Sequence, residues 1–109
     1  ATGLAYALKL QKKDEHVWCF IGDMTFQTGI AHESIRYSIN FDLPITWVVA
    51  DNNKSVCTVT SDAWGKTTKD LFTFYKHTME RRRDREVDLI RYEFESKFPH
   101  SGTGTFIEF

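Results

Sequence analysis

Apolar residues along the chain follow two periods. Val17–Ile21 is a continuous apolar run, β-branched and aromatic on both parities, as expected of a strand buried within a parallel sheet. The run LPITWVVA repeats that character over residues 44–50, with Pro44 at the first strand position, where a missing N–H is tolerated. VDLIRYEF predicts a third strand over residues 87–94. Between these runs the period changes. Ala31, Ile35 and Ile39 recur at i, i+4, i+8 and predict a helix from about Thr25 to Phe41. Leu71, Phe74, Tyr75, Thr78 and Met79 form the stripe of another helix, opened by a capping-box-like Thr67 and Asp70. At the start of the chain, Thr2 is placed to cap a helix whose Leu4, Ala7 and Leu8 share one face. The polar stretch Lys54–Lys66 fits neither period, and KFPHSGTGTFIEF reads as a loop with a short extended tail.

Strand, helix, strand, helix, strand is the order of an α/β fold with a parallel sheet and right-handed crossovers. Residues 1–109 form one domain with neither repeats nor a linker. Three strands are few for a doubly wound sheet, and the sequence opens without Met inside a helical pattern. Both features give the expectation that the chain is an incomplete part of a larger domain.

Composition narrows the classes. The 41% hydrophobic and 15% aromatic content supports a packed core. Fourteen basic and fifteen acidic residues leave a formal charge of −1, which gives no global field for nucleic acid or an anionic membrane. The basic run in ERRRDRE has acids interspersed and no aromatic platforms beside it, so it reads as a solvated helix end rather than an RNA-binding patch. No apolar run approaches the roughly 20 residues of a membrane span. Cys19 and Cys57 are too few for a disulfide framework and lack zinc-ligand spacing. With no secretory-type start either, a cytoplasmic setting is expected.

Chemistry in an open parallel sheet gathers outside the carboxyl ends of the strands. Two of the predicted strands end in small polar residues, Gly22-Asp23 and Asp51-Asn52-Asn53. Carboxylate and amide oxygens are hard donors suited to magnesium or calcium. A helix beginning after Asp23 would aim N–H groups at the same place, so metal and phosphate could share a pocket. Asp and Asn are also ordinary turn and cap residues, so these residues alone leave both readings open.

The segment IGDM, followed by a helix, an apolar strand and DNN, resembles the signature of thiamine-diphosphate-dependent enzymes. Asp23 lies 30 positions before Asn53, a spacing like that of transketolases, and 29 before Asn52, closer to the 2-oxo acid dehydrogenases. TGIAHES (Thr28–Ser34) looks like the transketolase helix, with its His32-Glu33 pair. ATGLAYALKLQKKD and FPHSG are similar to segments of dehydrogenase alpha subunits. The sequence departs from the signature at Met24, where the family has a third glycine, and at Thr28, where transketolases carry an acid.

The resemblance implies a three-layer α/β thiamine-diphosphate-binding fold, with thiamine diphosphate and Mg2+ as cofactors. It implies Asp23 and Asn53 as metal ligands through side-chain oxygens and Ser55 through its carbonyl. Gly22 would permit a tight strand-to-helix turn, the backbone at Met24 and Thr25 would approach the diphosphate, and His100 would reach a phosphate oxygen. Glu33 would be an interface or outer carboxylate. No counterpart of the family's activating glutamate is present, so a partner chain or domain carrying the pyrimidine site is implied, in a homo- or hetero-oligomer. The leading expectation is the diphosphate-anchoring portion of a 2-oxo acid dehydrogenase-like enzyme, supported by the opening helix and the His-Ser loop. A transketolase-type transferase is the alternative, and a scaffold that has lost the cofactor is a rival of another class.

Overall fold

The computed structural model describes residues 1–81 and 85–108. Arg82, Arg83 and Asp84 of the charged run therefore lie outside the described residues. The elements are α1 (Thr2–Leu10), β1 (Val17–Gly22), α2 (Asp23–Phe26), α3 (Gly29–Asn40), β2 (Ile45–Asp51), β3 (Lys54–Ser55), β4 (Thr58–Val59), α4 (Thr60–Trp64), α5 (Thr68–Glu80) and β5 (Asp88–Glu93). The α/β class and the parallel sheet follow the sequence-based expectation. β1, β2 and β5 pair in that spatial order, both pairs parallel, and β3 and β4 form a separate two-stranded hairpin.

Register decides which side chains meet. Val17 pairs with Ile45 and Cys19 with Trp47, while Trp47 pairs with Leu89, so these residues share one face. Against that face lie Ala5 of α1, Phe26 of α2, Ile35 and Ile39 of α3, and Tyr75 and Met79 of α5, in one cluster. Leu43, Ile45, Val49 and Leu89 are completely buried there. The other face carries Trp18, Phe20, Val48, Ile90 and Tyr92. Val48 at its centre is buried, but Trp18 is 59% and Phe20 68% exposed. Among the described residues every helix of the core cluster therefore packs on one side of the sheet. The described residues supply two layers of the three-layer α/β fold expected in incomplete form, and the both-parity hydrophobicity of β1 marks the face that no described helix covers.

Three helical expectations shift in detail. The stretch 25–41 is two helices, because Thr28 takes an extended conformation (φ −78°, ψ 154°) and caps α3, its Oγ1 accepting from Ala31 N–H. In α1 the buried residue is Ala5, while Leu4 is 60% exposed, so the inward stripe is rotated from the one predicted. In α5, Tyr75 and Met79 are buried as expected, whereas Phe74 points outward and Phe72 joins the core edge. The Thr67–Asp70 capping box forms as predicted, each side chain bonded to the other residue's backbone N–H. The polar stretch Lys54–Lys66 contains the β3–β4 hairpin and α4.

Candidate functional site

The carboxyl ends of β1 and β2 are adjacent, with Gly22 in register with Ala50. Asp23 and Asn53 therefore leave the sheet on neighbouring strands. Asp23 is the first residue of α2 and is only 2% exposed. Its Oδ2 accepts a hydrogen bond from Thr60 Oγ1 at 2.5 Å. None of the ion pairs among the described residues involves Asp23. A buried carboxylate without a cation is costly in a folded protein, where such charges are usually paired or bound to metal.

Asn53 adopts the left-handed conformation, φ 55°, which Asn tolerates better than most residues. Asp51 Oδ1 accepts from Asn53 N–H at 3.0 Å and fixes this turn. The Asn53 side chain then faces the start of α4: its Nδ2 donates to Ser61 Oγ and its Oδ1 accepts from Ser61 N–H. Asn53 O accepts from Thr60 N–H at 3.0 Å. Thr60 thus touches both residues, holding the Asp23 carboxylate with its hydroxyl and the Asn53 carbonyl with its amide. Ser55 lies two residues on, half-buried in β3.

Asp51 is a second buried carboxylate, but a paired one. Arg91 of β5 donates through Nε to Asp51 Oδ2 at 2.7 Å, and its Nη2 bonds Glu93. Burial works against the Arg91 charge, but the hydrogen bonds to Glu93 and Asp51 and their negative charges outweigh it and raise its pKa. A cavity of about 340 Å³ opens beside this pair, between the Asp51–Asn53 turn and the first residues of α5.

The remaining site residues are placed as follows. Gly22 has φ −78° and ψ 163°, a conformation open to any residue, and a Cβ added there would meet nothing within 4 Å. Its expected role in permitting a tight turn is therefore not required; what it leaves is room above the strand end. Met24 follows Asp23 in α2, and its sulfur accepts from Trp64 Nε1 at 3.0 Å, so the thioether is occupied by packing against α4. Thr25 is exposed, and its carbonyl accepts from Thr28 Oγ1. The helix behind Asp23 has only four residues, because the chain breaks at Gln27 and Thr28, so its dipole is small and what it offers an anion is the backbone N–H groups of a single turn. His100 belongs to a different cluster: it shares a cavity with Asn52 and Lys54, and Asp23 is not among the residues lining it. Glu33 is exposed on α3, while the neighbouring His32 Nδ1 meets the buried Tyr75 hydroxyl at 2.5 Å. Burial raises the Tyr75 pKa.

Sequence reasoning missed Thr60 and the Asp51–Arg91 pair. Arg91 is a charge inside an otherwise apolar strand run, a signal that a partner is near. Thr60 gave none, because it sits in a stretch whose short elements have no periodicity to read.

No group of three or more His, Cys, Asp or Glu side chains placed to hold a metal occurs among the described residues. The donor set at Asp23 and Asn53 is instead one acid with neutral oxygens. Residues 1–98 match the family model described as 1-deoxy-D-xylulose-5-phosphate synthase. The chain belongs to this family. The 1-deoxy-D-xylulose-5-phosphate synthase family is thiamine-diphosphate-dependent, which agrees with the resemblance carried by IGDM and DNN. No curated protein is significantly similar to the chain. Among solved structures, it resembles a Mycobacterium smegmatis protein assigned as a thiamin diphosphate-dependent enzyme. The TM-score is 0.55 with 20% identity over 87% of this chain, a likeness of fold. The chain spans about a fifth (21%) of that protein's length. No described helix is long and apolar enough to cross a membrane.

Proposed function

We propose that this chain anchors magnesium and the diphosphate of thiamine diphosphate in an enzyme that joins or transfers carbon fragments. The observation that carries the proposal is Asp23: buried, ionisable, held by one hydroxyl and lacking any cation among the described residues. A divalent ion would supply the missing charge. Asn53 Oδ1 accepts one N–H and keeps a second lone pair for the metal, and the Ser55 carbonyl is the third protein donor. Magnesium is ordinarily held by one or two carboxylates and completes its octahedral shell with neutral oxygens, water and substrate phosphates, so a diphosphate fits the positions that the three protein donors leave.

The space above Gly22 and the backbone of Met24 and Thr25 would receive that diphosphate. When bound, thiamine diphosphate supplies a nucleophilic carbon and an electron sink for carbonyl chemistry. The part of this chain is to bind and orient: Thr60 fixes the carboxylate, and Asp51 fixes the turn that carries Asn53. The pyrimidine end would rest on a partner chain or domain, in an oligomer. Between the two expected subgroups, the family description favours a transketolase-type synthase over a 2-oxo acid dehydrogenase.

The test is calorimetric titration of thiamine diphosphate into the intact protein with its partner, with and without magnesium. Binding should require magnesium, and Asp23→Ala should weaken it far more than Asn53→Ala, since water can replace a neutral donor. Equal affinity of wild type and Asp23→Ala would refute the metal assignment. Absence of binding by the intact wild type would favour a scaffold that has lost the cofactor.

A further inference from the structure

Helix α4 has five residues, and its buried residue is Thr60. A helix so short is marginal by itself, so its attachments decide whether it stays formed. At the first turn, Thr60 Oγ1 donates to Asp23 Oδ2, and Ser61 bonds the Asn53 side chain through both its N–H and its Oγ. At the other end, Trp64 Nε1 donates to the Met24 sulfur at 3.0 Å. Gly65 follows at φ +67° with its N–H on Ser61 O at 2.9 Å, so the helix stops immediately beyond the indole. Asp23 and Met24, adjacent residues of α2, therefore hold opposite ends of α4.

The side chain at position 24 matters to this arrangement. Trp64 is 49% exposed, yet its N–H turns to a thioether, a weaker acceptor than water. An unbranched, polarisable methionine suits that contact, because it can follow the edge of an aromatic ring. The thiamine-diphosphate signature has glycine at this position, and glycine would bring neither an acceptor nor a side chain to Trp64. Met24 thus gives up the bare backbone of the signature and gains a tie to α4.

We propose that Trp64 and Met24 are positioning residues for the metal site, a role that rests on Asp23 and Asn53 being the magnesium donors. Their contact holds the last turn of α4 on α2, and so keeps Thr60 aimed at the Asp23 carboxylate and Ser61 at the Asn53 amide. Thr60 and Trp64 are the first and last residues of α4, about one helical turn apart. Fraying at the indole end therefore reaches the hydroxyl that fixes the carboxylate.

The first measurement is amide hydrogen exchange on the intact protein without ligands. Thr60 N–H donates to Asn53 O and Ser61 N–H to Asn53 Oδ1. In Trp64→Ala both amides should exchange several-fold faster, while the unfolding midpoint stays near that of wild type. Unchanged exchange would overturn the proposal. The second measurement is calorimetric titration of thiamine diphosphate in the presence of magnesium. Trp64→Ala and Met24→Ala should each weaken binding about fivefold, and the double variant should lose no more than either alone. Met24→Gln restores side-chain length and an acceptor for the indole and should recover most of the affinity. Met24→Gly restores the signature glycine and should not. Additive losses, or tighter binding by Met24→Gly, would overturn the pairing of the two residues. Faster exchange with wild-type affinity would overturn the positioning role and leave Asp23 as the metal ligand. Absence of binding by wild type would remove the metal reading itself, and the positioning role with it.

Discussion

Thr60 Oγ1 and Asp23 Oδ2 lie 2.5 Å apart, and both residues are buried, so among the described residues a single hydroxyl holds this carboxyl group and no cation pairs with it. Removing that charge should help the metal-free protein. Asp23→Asn keeps an oxygen for Thr60 and eliminates the buried charge, and the expected gain is about 1 kcal/mol of stability without magnesium. The same substitution should erase any stabilisation by magnesium and thiamine diphosphate. Thermal unfolding of the two proteins, each with and without both ligands, gives the four values required. A metal-free Asp23→Asn that is less stable than wild type would mean that the charge serves the fold.

The Asp51–Arg91 pair makes the opposite prediction. Here the carboxylate is matched, and truncating its partner strands it. Arg91→Met should cost roughly 2–3 kcal/mol, while the double variant with Asp51→Asn should recover part of the loss. Urea unfolding of the single and double variants measures both. Equal destabilisation in the two would show that the arginine acts through packing alone.

Tyr75 sets an alkaline limit. Its pKa is raised by burial above the ordinary value of 10.0, so the folded state keeps the phenol proton longer than the unfolded state does. The corresponding stability is fully present below about pH 10 and is lost as pH climbs through the raised folded value. Tyr75→Phe cannot titrate and should flatten the decline. Urea midpoints from pH 9 to pH 11.5 test this, and identical slopes would assign the decline to other groups.

The uncovered sheet face should be sticky. Trp18 and Phe20 stand side by side on it and are more than half exposed. Trp18→Ser with Phe20→Ser should reduce self-association and the binding of an apolar fluorescent dye, with stability shifted by no more than about 0.5 kcal/mol per site. Light scattering and dye titration are the measurements. Unchanged dye binding would place the apolar surface elsewhere.

How much of this was legible in the sequence differs by element. The continuous runs at Val17–Ile21 and Ile45–Ala50 located both main strands, because a parallel sheet leaves no ambiguity of face. The spacing from Asp23 to Asn53 and the apolar strands brought the two residues to adjacent strand ends. Helical detail was less readable. The break at Thr28 depends on a side-chain cap competing with continued helix, and a stripe through Ala31, Ile35 and Ile39 looks the same on either side of it. Thr60 became visible only in three dimensions, since its two contacts lie 37 and seven residues away in the chain. Gly22 was misread in the other direction, as a conformational necessity where the backbone demands none.

The one-sided sheet also has a kinetic meaning. β1 pairs with β2, and β2 with β5, only after the intervening helices have been made, and such long-range parallel pairings form slowly. Throughout that interval β1 and β5, the edge strands among the described residues, lie beside an aromatic surface, the combination that invites aggregation. A chain or segment that covered Trp18 and Phe20 would act on folding before it acted on assembly. Expression of this chain by itself should yield inclusion bodies before it yields soluble protein.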